Sequence, residues 1–203
     1  ISYVMLGTGM LWFGWFGFNA GSALAANATA AMAFGTTTIA SASAMITWIF
    51  FDRINGRKVS ALGASIGAVV GLVAITPAAG FVTIAESLFI GFISAIVSNS
   101  MMHWKKLKKI DDTLDVFACH GVGGIMGMIL TAIFAHGENA SLLHGGWSVF
   151  AHHMMALVLV SAFTFFGALL LYKITDFIIP LRVSEESENI GLDLSQHDES
   201  ISF

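Results

Sequence analysis

Six runs of mostly apolar residues, most of them about as long as a helix must be to cross a bilayer, constrain this chain more than any other feature. A spanning helix takes about 20 such residues. The runs cover roughly residues 4–25, 28–51, 61–76, 82–103, 116–135 and 149–177. The third is short, and its start is expected nearer Lys58; the last is long enough to tilt strongly or to extend past the bilayer. The segments between them carry turn signals: Asn55 with Gly56, Pro77 with Gly80, and the polar stretch 136–146. Only 11% of the 203 residues are charged, against about 25% in a soluble domain, and mean hydropathy is +0.81. The fold class expected is therefore all-α, a polytopic helical membrane protein. No basic stripe with interleaved aromatics is present, so nucleic acid is not an expected partner. The single cysteine, Cys119, lies inside an apolar run, cannot form an internal disulfide, and reads as a packing residue. The chain opens at Ile1 directly into apolar sequence, without a signal-peptide pattern, and reads as a fragment lacking an N-terminal part.

The basic residues set the expected orientation. Arg53, Arg57 and Lys58 lie between the second and third runs, Lys105, Lys106, Lys108 and Lys109 between the fourth and fifth, and Lys173 and Arg182 at the end of the sixth. The other loops contain no Lys or Arg. Basic residues near span ends favour the cytoplasmic side, so all nine fall on one side if the first span starts in the cytoplasm. After Pro180 the composition turns polar and acidic. Two regions are expected: a transmembrane domain over 1–180 and a cytoplasmic tail over 181–203. Small residues recur every four positions at Gly63, Gly67 and Gly71, at Gly123 and Gly127, and at Gly17 and Gly21. Such spacing lets helix backbones approach closely in lipid.

Few residues in the spans can carry chemistry. Trp15, Phe18 and Ser22 project within roughly 60° of one another on a helix, with Gly14, Gly17 and Gly21 on a face about 100° away. This is either an ordinary packed aromatic face or a cation site, in which ring faces attract the cation and the hydroxyl accepts a hydrogen bond. His120 lies in the fifth run, about 7.5 Å of helix rise beyond Asp115. An ionisable group inside a span points to function by default; the alternative is a satisfied structural histidine. Asp111, Asp112 and Asp115 precede or open that helix, where carboxylates suit the positive end, and capping is the favoured reading of the first two. Glu86 lies near the outer surface of the fourth run, and His103 at an interface. His136, His144, His152 and His153 match no standard metal spacing, and no metal site or cofactor is expected. No P-loop, GxSxG or HExxH pattern is present, and no enzyme is expected.

Four stretches carry a resemblance to a known family: GWFGFNAGSAL (14–24), GASIGAVVGLVAITPAAG (63–80), DDTLDVFACHGVGGIMG (111–127) and LRVSEESENIGLDLSQHDES (181–200). In order and spacing they resemble the Amt/Mep ammonium transporters, whose eleven spans form two inverted five-helix repeats plus a long last helix. The chain resembles spans six to eleven, that is, the second repeat and the final helix. The resemblance implies transport of ammonium or ammonia through a hydrophobic pore for nitrogen uptake, in a homotrimer in the plasma membrane. It implies that Phe18 is one of two stacked gate phenylalanines, that Ser22 is the hydroxyl of the outer recruitment site, that Trp15 lines the pore, that His120 is one of the paired pore histidines, and that Asp115 supports the helix bearing it. It places His120 near the pore midpoint, deeper than simple counting does, as a buried helix start would explain. The other phenylalanine, the recruitment-site tryptophan and the other histidine belong to the first repeat, so the 203 residues alone are not expected to conduct. Where many relatives carry Asn-Thr, this chain has Gly35 and Thr36, flanked by Thr37 and Thr38. The tail resembles one that helps a PII-type signalling protein engage. An ammonium sensor and a gas channel of the related Rh type are the alternative functions.

Overall fold

Apolar runs of this kind satisfy their backbone polar groups internally, and helices do so at every residue. In the computed structural model, which describes residues 1–108, 110–137 and 141–200, helices occupy all six predicted positions: α1 (Ser2–Gly21), α2 (Ala28–Ile54), α3 (Ala61–Ile75), α4 (Ile84–Leu107), a π-helical turn (Phe117–Val122) running into α5 (Gly123–Phe134), and α6 (Trp147–Ile178). Two short helices not foreseen in the tail follow, α7 (Glu185–Ile190) and α8 (Leu192–His197). Among the described residues there is no strand. Lys109 of the expected lysine cluster and residues 138–140 of the outer loop lie outside the described residues. The chain divides into two units, residues 1–157 and 158–203.

Helix starts follow the local chemistry. Asn27 Oδ1 accepts from the Ala30 amide at 2.9 Å, and Ser60 Oγ from the Gly63 amide at 2.9 Å. These caps satisfy N–H groups that a helix start leaves without partners. The Ser60 cap fixes the third helix at Ala61, where its apolar run begins, and not nearer Lys58. Thr83 and Glu86 form a reciprocal capping box on α4. By length and composition α2, α4, the continuous helix Phe117–Phe134 and α6 are able to cross a membrane. α3 is apolar but has 15 residues, and α1 has the length without belonging to that group.

The core of the first unit lies where α2, α3, α4 and α5 meet, and most of its buried residues are small. Ala40, Ala74, Ala78, Ile75 and Ile90 form one cluster, and Ala44, Trp48, Val70, Ala95 and Ala118 another. Glycines permit the close approach. A Cβ on Gly91 would run into the Ala40 carbonyl oxygen, and one on Gly127 into the Ala74 carbonyl oxygen. Gly67 and Gly71 press on the backbone of α2 in the same way. The Gly17–Gly21 pair differs: no atom lies within 4 Å of a Cβ at either position. Among the described residues the α1 repeat therefore packs on nothing, because the neighbours of α1, namely α2 and α3, meet other sides of it. Hydroxyls add ties between helices. Ser41 donates to the Ala68 carbonyl at 2.9 Å and Ser43 to the Leu88 carbonyl at 2.8 Å.

Candidate functional site

The candidate residues lie on two elements of the first unit, α1 and the π turn before α5. Trp15 is half-buried, and its indole N–H donates to Thr76 Oγ1 at 2.8 Å. Thr76 in turn donates to the Leu72 carbonyl at 2.8 Å, so the polar edge of Trp15 is satisfied and fixed to the end of α3. The Phe18 ring meets Trp15 edge-on, with centroids 5.7 Å apart, and remains 59% exposed. Both rings border an apolar groove along α1 shared with Gly7, Met10 and Gly14. Ser22 caps the end of α1, and its hydroxyl donates to the Phe18 carbonyl at 2.5 Å. The proton is thereby turned toward the helix, which leaves oxygen lone pairs available as acceptors. Beside this face, buried Asn19 donates from Nδ2 to Thr37 Oγ1 at 3.0 Å and ties α1 to α2. Where the Gly35–Thr36 departure falls, α2 is unbroken, with Thr36 bonded to its own preceding turn.

His120 sits on the π turn, a form that recurs at functional sites. It borders a cavity of about 280 Å³ with Val4 and Thr8 of α1, Ile66 and Val69 of α3, and Cys119. Its side chain is exposed to that space, and among the described residues neither ring nitrogen has a hydrogen-bond partner. A neutral imidazole in that setting offers one donor and one acceptor. Thr8 and Phe18 are ten residues apart on α1, roughly 15 Å along the axis. The aromatic pair and His120 therefore line different levels of one helix and are not in contact.

The start of the π turn is held electrostatically. Asp112 accepts from the Val116 amide through Oδ1 at 2.9 Å and from the Phe117 amide through Oδ2 at 3.0 Å. The Asp112 side chain thus caps the start of the helix. Asp115 instead takes a left-handed backbone conformation, φ 54°, and accepts the Cys119 amide on its carbonyl at 3.0 Å. Its carboxylate pairs with Lys105 Nζ at 2.7 Å and more loosely with Lys106 at 3.8 Å. Lys105 also meets the Asp112 carboxylate at 2.9 Å and donates to the Asp112 carbonyl at 2.6 Å. Lys105 is only 3% exposed, so this lysine, which reads in the sequence as an interfacial charge, is an internal strut between α4 and the π turn. Burial pushes the Asp112 carboxyl up, but the Lys105 ammonium and the two amides outweigh it and hold the group below its ordinary value.

A second polar network was not legible in advance. Asp52 at the end of α2 accepts from Arg57 Nε at 2.9 Å and from Asn99 Nδ2 at 3.0 Å. Arg57 also reaches Asn99 Oδ1 at 2.8 Å. Together with Lys58, His103 and Lys106, Asp52 and Arg57 border a polar cavity of about 190 Å³. Leu62, Ile66 and Asp115 border both this cavity and the one at His120, so the charged end of the bundle adjoins the histidine.

The profile of the Ammonium Transporter Family matches residues 1–201. The chain belongs to the ammonium transporter family. Among curated members, Ammonium transporter Amt1 of Archaeoglobus fulgidus is 43% identical over 202 residues, covering 98% of this chain and 51% of that protein. An ammonium transporter of Aquifex aeolicus is 45% identical over 206 residues, covering 98% of this chain and 48% of that protein. This chain thus spans about half the length of the ammonium transporters it matches. Its all-helical fold is that of the solved family structures. Saccharomyces cerevisiae Mep2 superposes with a TM-score of 0.85 at 34% identity, over 89% of this chain and 43% of that one. A structure titled Sensor Amt Protein gives 0.83 at 32% identity, over 95% of this chain and 48% of that one.

Proposed function

We propose that the protein carrying this chain moves ammonium or ammonia across a cell membrane, and that the chain forms one wall of the pathway. The observation that carries the reading is His120: a histidine whose ring nitrogens have no hydrogen-bond partner among the described residues, bordering a largely apolar cavity in a member of this family. Residues 1–180 supply six spans, α1 and α3 crossing as well as the four helices long and apolar enough by themselves, and residues 181–203 form a cytoplasmic tail. Basic residues on alternate loops support that orientation. At the outer end, Phe18 and Trp15 present ring faces that replace part of a cation's hydration shell, and Ser22 accepts from an N–H of ammonium. A bare cation is unfavourable in the apolar interior, so ammonium gives up a proton there. His120 accepts or relays that proton, or hydrogen-bonds the neutral ammonia. Asp115 acts indirectly, by holding the π turn through Lys105. A homotrimer, a plasma-membrane location and a PII-type protein at the tail belong to the same proposal. The fold match to a structure titled Sensor Amt Protein favours, as a second reading, a sensor that reports occupancy through its tail and transports little.

His120→Leu in the full-length protein tests the proposal. It keeps bulk, removes both nitrogens and is well tolerated in a span. Uptake of labelled methylammonium should fall sharply while membrane insertion persists. Unchanged uptake and selectivity in a normally inserted variant would make His120 structural. A wild-type protein that binds ammonium without measurable flux would favour the sensor.

A further inference from the structure

Three side chains far apart in the sequence converge where the start of α4 meets the end of α5. Glu86 lies in the first turn of α4, His136 just beyond α5, and His144 in a single 3₁₀ turn, Leu142–His144, before α6. One potential ligand atom from each lies within 4.8 Å of the other two. His136 Nε2 is 2.9 Å from Glu86 Oε1 and 3.0 Å from Oε2, and the two imidazole rings are 4.3 Å apart between centroids. Ligand atoms on one tetrahedral zinc stand about 3.3 Å apart, from bond lengths near 2.0–2.1 Å. The cluster is within small side-chain adjustments of that geometry.

The supports of each group are already in place. Thr83 donates to Glu86 Oε2 from its amide at 2.7 Å and from its hydroxyl at 2.9 Å. That orients the carboxylate and leaves Oε1 toward His136, as a second shell does for a metal ligand. The His136 amide is held by the Phe81 carbonyl at 2.7 Å. The turn bearing His144 is anchored by Ser141, which is fully buried and donates its hydroxyl to the Ile133 carbonyl at 2.7 Å. The His144 amide donates to the Ser141 carbonyl at 2.9 Å, and Gly145, with φ 87°, closes the turn.

We propose that Glu86, His136 and His144 form a binding site for a divalent transition-metal ion of the zinc class. Two imidazoles and one carboxylate select such an ion over magnesium or calcium, which prefer all-oxygen shells. On binding, the proton between His136 Nε2 and the carboxylate leaves or moves to Nδ1, and the metal takes its place. Two of the side chains are exposed, so solvent supplies the fourth ligand. The ion would staple the α5–α6 connection to the start of α4, independently of what the pathway carries.

The test is titration of tag-free, full-length protein in detergent with Co²⁺, followed by its visible ligand-field absorption, and then displacement by Zn²⁺. The wild type should bind one ion per chain with the spectrum of a four-coordinate site. Glu86→Gln, His136→Gln and His144→Gln should each weaken binding at least about tenfold, the loss seen when even a supporting group is removed. His152→Gln, at a neighbouring exposed histidine, should bind as the wild type does. Absence of the spectrum in the wild type overturns the site. So does unchanged affinity in His144→Gln, a variant whose exposed loop position spares the fold.

Discussion

Replacing Lys105 by Met should destabilise the protein more than loss of any other lysine. The side chain is 3% exposed and its ammonium meets two carboxylates, at 2.9 and 2.7 Å, and one carbonyl, at 2.6 Å. Methionine keeps the volume of the stem but removes the ammonium between Asp112 and Asp115, leaving Asp115 only the looser contact with Lys106 at 3.8 Å. Removing one partner of a buried ion pair costs about 3–5 kcal/mol. Here we expect about 3 kcal/mol, the lower end of that range, because the Asp112 and Asp115 side chains retain 16% and 12% exposure. The assay is unfolding of the full-length protein in mixed micelles, followed by tryptophan fluorescence. Lys105→Met combined with Asp115→Asn should recover part of the loss, since it removes one of the two stranded charges. The same strut fixes the turn bearing His120, so substrate uptake per folded molecule should fall as well. A stability loss below about 0.5 kcal/mol, the size of a neutral surface change, would refute the idea that Lys105 is an internal strut.

Three further outcomes are expected. The Asp112 carboxyl is held below its ordinary value in the folded state, so its contribution to stability is present above the unfolded carboxylate pKa, near about 3.9, and is lost as pH falls through the lower folded value; Asp112→Asn should flatten that acid limb of a stability–pH curve. Gly91→Ala should cost about 1–3 kcal/mol through overpacking, because its Cβ would collide with the Ala40 carbonyl oxygen; unfolding midpoints of the two proteins measure it. A cysteine placed at exposed Lys58 should react with a membrane-impermeant maleimide only after the cytoplasmic face is opened, and labelling in intact cells would reverse the orientation.

The positions of the membrane helices were legible because twenty apolar residues in a row leave few other options. Their ends were less so. The start of α3 depends on the Ser60 hydroxyl, and the residues on either side of it do not reveal which hydroxyl will cap. The π turn at His120 was invisible because an apolar run has no strong periodicity for one extra residue per turn to disturb. Lys105 misled in a different way. A lysine at a span end has the same sequence signature whether it faces lipid headgroups or two aspartates, and only the fold of residues 110–116 decides between them. Glu86 and His136 are fifty residues apart, beyond the reach of any local spacing rule. That Trp15, Phe18 and Ser22 share one side of a helix was readable from helical geometry, but the commitment of the Ser22 proton to the Phe18 carbonyl required coordinates.

The core between α2 and its neighbours is built mainly from alanine, glycine, serine and threonine, and such side chains have few rotamers or none to lose on folding. Ordering them costs little entropy, which matters where lipid supplies no hydrophobic drive between helices. It also means that the native core has few alternative side-chain packings to visit. Backbone against backbone, as at Gly91 and Ala40 or Gly127 and Ala74, this part of the bundle behaves as a stiff wall. Side-chain rearrangement is then left to the large, exposed side chains at the surface, of which Phe18 is one.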